Sequence, residues 1–206
     1  VDYVEARQPN LQPIEEFDKT MLDTNITLFA KGDNPRILIT MEDLREIRIE
    51  LYPDIAPISV ANFLSLVEES YYDNVIFHRV IKDFVIQAGW LYVDDQHHLQ
   101  SKEDRENITG EFSKNGIENN LSHKAGVISM ARAQDYNSAS TQFFIVSADS
   151  TFLDGNYAAF GKVVDQESLE VVLALSYTST YTENDGWRLK DFPKEDLIIK
   201  SITLID

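Results

Sequence analysis

The chain has 206 residues, of which 43% are hydrophobic and 11% aromatic, so it is long enough to bury the core of one domain with an appendage. Its formal net charge of −17 argues against contacts with nucleic-acid phosphates, and we expect no DNA or RNA partner. The absence of cysteine excludes disulfides, thiolate zinc sites and cysteine nucleophiles, and no spacing of other ligands predicts a metal or a cofactor.

Residues 1–34 differ in character from the rest of the chain. They are rich in Asp and Glu, contain Pro9 and Pro13 and show little hydrophobic periodicity, which is typical of a mobile extension or tether. Four apolar residues within this extension nevertheless fall at helical spacing: Ile14, Phe17, Met21 and Leu22. We expect this stripe to pack on the flank of the domain formed by residues 35–206. There are two alternatives: the stripe packs on a neighbouring molecule, or it covers the substrate pocket as a lid.

A regular pattern begins near Arg36. Apolar residues alternate with polar ones in two runs that predict paired strands: Ile37 and Ile39, then Ile47, Ile49 and Leu51. Pro57 suits the first position of a helix, and apolar residues follow it at three-to-four spacing as far as Val67. Further strands are predicted on both sides of Lys82-Asp83 and at residues 126–131, 143–146, 158–164 and 197–205, with a second helix at 167–175 and polar loops at 92–120 and 176–195. Many short strands, two helices and no strand–helix–strand rhythm predict a mainly β fold, a closed or nearly closed antiparallel barrel.

Three of these segments, at residues 77–89, 128–133 and 140–145, place polar side chains among apolar ones. A guanidinium among apolar residues is costly unless something offsets its desolvation, and an arginine paired with a carboxylate at the core edge is one solution. Side chains two apart on a strand share a face, which groups the following residues: Phe77, Arg79 and Ile81; Val85 and Gln87; Ala131 and Ala133; Gln142 and Phe144. Such a patch is an apolar pocket with one cation and two amides, suited to binding and polarising a neutral amide without covalent chemistry. By the same alternation His78 points away, as a structural histidine.

Six separated blocks then resemble the cyclophilin-type peptidyl-prolyl cis–trans isomerases, in particular their bacterial members. The blocks are Ala56-Pro57 with Asn62-Phe63, Phe77-His78-Arg79-Val80, Phe84 with Gln87, Gly126-Val127-Ile128-Ser129-Met130-Ala131, Gln142-Phe143-Phe144 and Leu153-Asp154-Gly155. The resemblance covers the chain from about Arg36 to Asp206. It implies a closed eight-stranded barrel capped by two helices, and an enzyme that accelerates rotation about X-Pro bonds of proline-containing polypeptides and so assists their folding, without a cofactor. A proline-peptide binding module or chaperone with little isomerase activity is the alternative.

The resemblance also assigns roles to individual residues. It implies that Arg79 is catalytic, that Phe84, Val85, Phe144 and Leu153 form the proline pocket, and that Gln87 and Gln142 bind the peptide backbone. Ala131 and Ala133 would line the neighbouring subsite, Phe152 and Tyr157 would occupy two further pocket positions, and Arg132 stands where an asparagine contact is common. Lys82-Asp83 replaces the family's usual Pro-Gly turn. Phe152 replaces a tryptophan whose N–H is a hydrogen-bond donor, so we expect weak or no cyclosporin binding.

An acidic, cysteine-free extension before such a domain resembles the lipid-anchored surface cyclophilins of Gram-positive bacteria. Their anchoring cysteine would lie upstream of Val1. We therefore expect a monomeric extracytoplasmic lipoprotein at the membrane surface, and a cytoplasmic enzyme with a tail is the alternative.

Overall fold

The computed structural model describes residues 34–184 and 189–205. Apart from Asn34, the predicted acidic extension and its apolar stripe therefore lie outside the described residues. The described part contains ten strands and two α-helices, in chain order β1 Arg36–Met41, β2 Glu46–Leu51, α1 Pro57–Glu68, β3 Arg79–Ile81, β4 Val85–Ala88, β5 Leu91–Val93, β6 Leu99–Ser101, β7 Val127–Met130, β8 Phe143–Val146, β9 Ala159–Val163, α2 Gln166–Ser176 and β10 Ile199–Leu204. Within these ranges, neither helix is long and apolar enough to cross a membrane.

Eight of the strands form one curled antiparallel sheet, in the order β10-β1-β2-β9-β7-β8-β4-β3, while β5 and β6 form a separate hairpin. The mainly β prediction with two helices is confirmed, but the closed barrel is wrong: the sheet is a half-barrel whose ladder ends at β3 and β10. The two end strands are linked by an isolated β-bridge between Ile76, which lies before β3, and Ile198, which lies just before β10. The outer side of β3 is met by a loop instead of a strand, since the Val80 N–H donates to the Asp191 carbonyl at 2.9 Å.

The first hairpin shows how alternation builds the core. Ile37 lies opposite Ile49, and Ile39 opposite Ile47, and all four side chains are fully buried on one face of the sheet. Burying each such side chain contributes about 1.5–3 kcal/mol. This face joins the main core, which α1 covers through Val60, Phe63 and Leu66 among others.

The two helices begin in different ways. Helix α1 starts at Pro57, as predicted, and its preceding residue offers no side-chain cap. The cap comes instead from Glu111, whose buried carboxylate accepts hydrogen bonds from the N–H groups of Ile58 at 2.9 Å and Ser59 at 2.8 Å. Helix α2 has a local cap, because the Asp165 side chain accepts a hydrogen bond from the Ser168 N–H at 2.7 Å.

Candidate active site

The strand register brings the predicted polar residues into one row. Arg79 of β3 lies opposite Gln87 of β4, Gln87 opposite Phe144 of β8, and Phe144 opposite Ser129 of β7. Directly opposed residues of neighbouring strands project to the same face of the sheet. The row therefore places a guanidinium, an amide and a phenyl ring side by side, and Gln142, just ahead of β8, joins it by a hydrogen bond from Gln87.

An apolar cluster lies on this same face, separate from the main core. Among the predicted site residues, it contains Val85, Ala131, Phe144, Leu153 and Tyr157, with Phe84 packed against it. The structure thus brings six predicted site residues together. Phe77 is an exception: it belongs to the main core and packs edge-on against Phe143, with ring centroids 6.3 Å apart. The prediction that Phe77 shares a face with Arg79 is wrong, because β3 begins only at Arg79 and the alternation does not extend back to residue 77.

Aromatic rings shape the rim and the depth of this cluster. Phe152 is 68% exposed and lies against Phe84, with ring centroids 5.4 Å apart. Tyr157 is 2% exposed and meets the Phe144 ring edge-on at 5.7 Å. The cluster therefore runs from the exposed ring of Phe152, past the partly buried Phe84, to the buried rings of Phe144 and Tyr157.

Two polar atoms beside the pocket are buried without a hydrogen-bond partner in the described part of the chain. They are Nη1 of Arg79 and Oε1 of Gln87, whose Nε2 donates to Oε1 of Gln142 at 3.0 Å. A buried donor or acceptor left unsatisfied costs about 1–3 kcal/mol. No carboxylate of residues 34–184 or 189–205 forms an ion pair with Arg79, so the alternative of an arginine neutralised at the core edge does not hold there.

Arg132 has a different environment from Arg79. It is 4% exposed, and its Nε and Nη2 both donate to the Asn156 carbonyl, at 3.1 and 2.8 Å. Its Nη1 donates to the carbonyls of Ala133 and Gln134, and its guanidinium lies 4.7 Å from the Tyr157 ring. The side chain thus ties an exposed turn that includes Ala133 to the segment after Leu153. A peptide contact at position 132 would come from the backbone.

The turn that replaces Pro-Gly has its own geometry. Asp83 has a φ of 56°, in the left-handed region that glycine adopts most easily. Its carboxylate accepts a hydrogen bond from the Tyr177 hydroxyl at 3.2 Å, and the Lys82 ammonium lies 4.9 Å from the Tyr177 ring. The end of α2 therefore supports the turn that joins β3 to β4.

His78 behaves as the structural histidine that alternation indicates. It is 8% exposed and meets Trp90 edge-on, with ring centroids 5.4 Å apart. Burial, and to a smaller extent the neighbouring Arg79, lowers the pKa of His78 to about 3, so its ring is neutral near pH 7. It cannot serve as a second cation beside Arg79.

Sequence reasoning missed one buried polar group beside the pocket, the His123 network, formed by His123, Asp154 and Ser129. The ring Nδ1 of His123 lies 2.8 Å from Oδ1 of Asp154, and its Nε2 lies 3.0 Å from Oγ of Ser129. Asp154 and Ser129 stand within blocks that carry the family resemblance, but nothing in the spacing of the sequence links them to His123. Pairing of these residues depends on contacts between β7 and two separate loops.

No three His, Cys, Asp or Glu side chains in the described ranges are placed to hold a metal ion. A cavity of about 400 Å³ lies elsewhere, between α1 and β10, where Leu64, Val67 and Ile202 contribute to its lining. None of the predicted site residues lines this cavity. The row of Arg79, Gln87 and Phe144 is the candidate active site, because the apolar cluster lies there beside two buried polar atoms that have no partner in residues 34–184 and 189–205.

Together, the curled sheet and its two helices carry an apolar cluster beside Nη1 of Arg79, a buried atom with no hydrogen-bond partner among the described residues. The sequence profile of the family described as "Cyclophilin type peptidyl-prolyl cis-trans isomerase/CLD" matches residues 36–204. The chain therefore belongs to the cyclophilin-type peptidyl-prolyl cis–trans isomerases, as the resemblance predicted.

Individual relatives agree with this assignment. A peptidyl-prolyl cis-trans isomerase of Acinetobacter baylyi is 36% identical over 79% of this chain and 81% of its own length. Peptidyl-prolyl cis-trans isomerase B of Escherichia coli is 36% identical over 77% of this chain and 93% of its own length. The crystal structure of a Cryptosporidium parvum cyclophilin-type isomerase covers 84% of this chain and 99% of its own, with a TM-score of 0.64 and 28% identity. A second structure of that protein, determined in the presence of the dipeptide Ala-Pro, has a TM-score of 0.63 to this chain, with 28% identity, and covers 83% of this chain and 99% of its own.

Proposed function

We propose that this enzyme isomerises X-Pro bonds in proline-containing polypeptides, with Arg79 as its catalytic residue and the cluster around Phe144 as its proline pocket. The observation that carries the proposal is the buried Nη1 of Arg79, which has no hydrogen-bond partner among the described residues and lies in the same row as Gln87 and Phe144. The Ala-Pro dipeptide used with the Cryptosporidium parvum relative supports a ligand of this type.

The chemistry follows from the electronic structure of the amide. Resonance sets a barrier of roughly 20 kcal/mol to rotation about an X-Pro bond. Twisting the bond removes the resonance and leaves a basic lone pair on the proline nitrogen. Nη1 of Arg79 donates to this lone pair in the twisted state and finds no such acceptor in the planar amide, so the contact favours the transition state.

The free energy of this hydrogen bond determines how much of the rate acceleration the rest of the site must supply. A charge-assisted hydrogen bond contributes about 1.5–3 kcal/mol net, or one to two factors of ten in rate. The remaining acceleration comes from holding the proline ring against Phe144 and Leu153 while Gln87 and Gln142 bind the peptide backbone. Removing the planar, polar amide from water adds to it.

The competing function is a binding module that holds proline peptides without isomerising them. An NMR exchange assay on an Ala-Pro peptide decides between the two. Exchange between cis and trans that is faster than the uncatalysed rate at micromolar enzyme supports the isomerase. Binding shifts without faster exchange would establish the binding module instead.

We also propose that the protein acts outside the cytoplasm as a lipid-anchored monomer, assisting the folding of exported proteins. The acidic, cysteine-free character of residues 1–34 supports this location. Fractionation of cells that express the full gene, with labelling by a fatty-acid analogue, tests it. Unlabelled protein in the cytoplasmic fraction would contradict the proposal.

A further inference from the structure

The ring of His123 packs flat against Phe144, the residue at the centre of the proline pocket. The two ring centroids are 6.1 Å apart and the planes are 19° from parallel. His123 is 1% exposed, so it is a buried support and not a group that meets solvent. Its position on one face of Phe144 limits where that ring can lie.

Two hydrogen bonds fix the orientation of the His123 ring. Asp154 accepts from Nδ1–H at 2.8 Å, which leaves Nε2 as the acceptor for the Ser129 hydroxyl at 3.0 Å. Burial lowers the pKa of His123 and the bond to Asp154 opposes this only in part, so the neutral ring with this tautomer is favoured. Burial alone would raise the pKa of Asp154, but hydrogen bonds from Ser122 and His123 outweigh burial and lower it, so Asp154 is ionised.

The same carboxylate connects His123 to the other wall of the pocket, because Asp154 follows Leu153 directly in the chain. Asp154 also accepts from the His123 N–H at 2.8 Å and from the Ser122 hydroxyl at 2.6 Å. The Ser150 N–H donates to the His123 carbonyl at 2.8 Å. Four hydrogen bonds thus join residues 122–123 to the segment that carries Leu153, with the His123 ring contributing one of them.

The chain of Asp154, His123 and Ser129 has the connectivity of a hydrolase triad, but its geometry does not permit that chemistry. Ser129 is fully buried, and it lies directly opposite Phe144 in the β7–β8 ladder. A substrate carbonyl cannot reach its Oγ. The network instead affects the positions of the residues that form the pocket.

We propose that His123 is a positioning residue for proline binding: it sets the Phe144 ring and the Leu153 segment at the separation that holds a proline ring. This inference rests on the proposed function, since it takes the cluster around Phe144 as the proline pocket. It predicts that loss of the His123 hydrogen bonds weakens peptide binding more than it slows the bound step.

The test compares the unaltered chain with four variants at positions 98, 123 and 154, and then with Phe144→Ala alone and combined with His123→Phe. NMR titration gives the peptide affinity, and exchange measurements give kcat and KM. His123→Phe keeps a ring against Phe144 and removes both ring hydrogen bonds, while His123→Asn keeps a short donor towards Asp154 and removes the ring. Asp154→Asn is the milder variant if these fold poorly. His98→Asn is the matched control, because His98 lies 3.8 Å from Asp94 as another His–Asp pair, outside the pocket.

We expect His123→Phe to raise the peptide Kd and KM about three- to tenfold with little change in kcat, a loss of affinity similar in size to the net contribution of one hydrogen bond. His98→Asn should leave both unchanged. Because His123 acts through Phe144, the affinity loss should largely disappear in a Phe144→Ala background, while any loss of melting temperature persists. Phe144→Ala alone must retain measurable binding at millimolar peptide for this cycle, which the titration shows directly.

Two results would overturn the inference. One is a lowered melting temperature with unchanged Kd and KM in both His123 variants, which would make the network purely structural. The other is an affinity loss that adds in full to that of Phe144→Ala. Absence of peptide binding by the unaltered chain would be a separate result, since it overturns the proposed function itself.

Discussion

Arg79 and Gln87 face each other across the β3–β4 ladder, and each keeps one buried polar atom unpaired in the described structure, Nη1 and Oε1 respectively. A donor and an acceptor are thereby held side by side at the edge of an apolar pocket. A peptide group offers the complementary pair of atoms. These two atoms lose their hydrogen bonds to water on folding without gaining new ones among the described residues. A bound peptide can therefore gain the free energy of hydrogen bonding to them.

Arg79→Ala should lower kcat at least tenfold, because it removes a charge-assisted hydrogen bond worth about 1.5–3 kcal/mol in the twisted state. The melting temperature should change little, since no ion pair of the described residues depends on Arg79. Lys82→Ala is the matched control, removing an exposed cation from the same hairpin. Equal activity of Arg79→Ala and Lys82→Ala would show that Arg79 is not catalytic.

Phe143 and Phe144 are adjacent, fully buried and belong to different clusters, which makes them a paired test of the pocket. Each Phe→Ala change should cost about 3–5 kcal/mol of unfolding free energy. Only Phe144→Ala should also weaken peptide binding, measured at a temperature where both variants remain folded. Similar binding losses in the two variants would point to general loosening of the sheet.

Glu111→Ala should destabilise the fold by about 2 kcal/mol or more, because it leaves the buried Ser59 hydroxyl and the N–H groups of Ile58 and Ser59 without their acceptor. Glu111→Gln retains one acceptor oxygen and should lose less. Urea unfolding of the two variants measures the difference. If both variants unfold at the same urea concentration as the unaltered chain, Glu111 is not the cap that holds α1.

His78 should make stability depend on pH. Its pKa is 6.5 ordinarily and about 3 in the folded chain, so the unfolded chain binds the proton more readily in this window. The stabilisation is complete above pH 6.5 and falls as the pH drops towards 3, by up to about 1.4 kcal/mol per pH unit. His78→Gln should flatten this slope in urea unfolding between pH 4.5 and 7. An unchanged slope would show that His78 takes up no proton on unfolding.

Phe152→Trp should tighten cyclosporin binding, since it adds an indole N–H at an exposed rim position. One new hydrogen bond contributes about 0.5–1.5 kcal/mol, or roughly two- to tenfold in Kd. Calorimetry on the two proteins measures the change, with Phe152→Tyr as an aromatic control. If the affinity does not change, the missing indole N–H is not the cause of weak cyclosporin binding.

Local sequence patterns were sufficient to predict most of the strands and helices of the fold. Alternation in β1 and β2, and the proline at the start of α1, depend on neighbouring residues and could be read directly from the sequence. The open sheet could not, because closure depends on whether a three-residue strand such as β3 finds a partner distant in the chain. The alternation rule failed at Phe77 because β3 begins only at Arg79, a boundary that the alternating pattern does not mark.

The site divides in a similar way. Phe84, Gln87 and Phe144 lie on strands or beside them, where alternation and family blocks agree. His123 and Glu111 act across separations of 31 residues to Asp154 and 52 residues to Ser59, and no periodic pattern encodes such pairs. The inward orientation of Arg132 was equally hidden, since its partners include the Asn156 carbonyl, 24 residues away.

Because the sheet is open, the catalytic arginine proposed here and the proposed proline pocket lie on strands in different positions. Arg79 belongs to the terminal strand of the sheet, whereas Phe144 and Ser129 belong to strands flanked on both sides. Terminal strands open locally at lower free energy than interior ones, so amide hydrogens of β3 should exchange faster than those of β8. In the proposed mechanism, we therefore expect the strands that carry Phe144 and Ser129 to hold the proline ring more rigidly than β3 holds Arg79. The guanidinium could then follow the amide nitrogen as it becomes pyramidal.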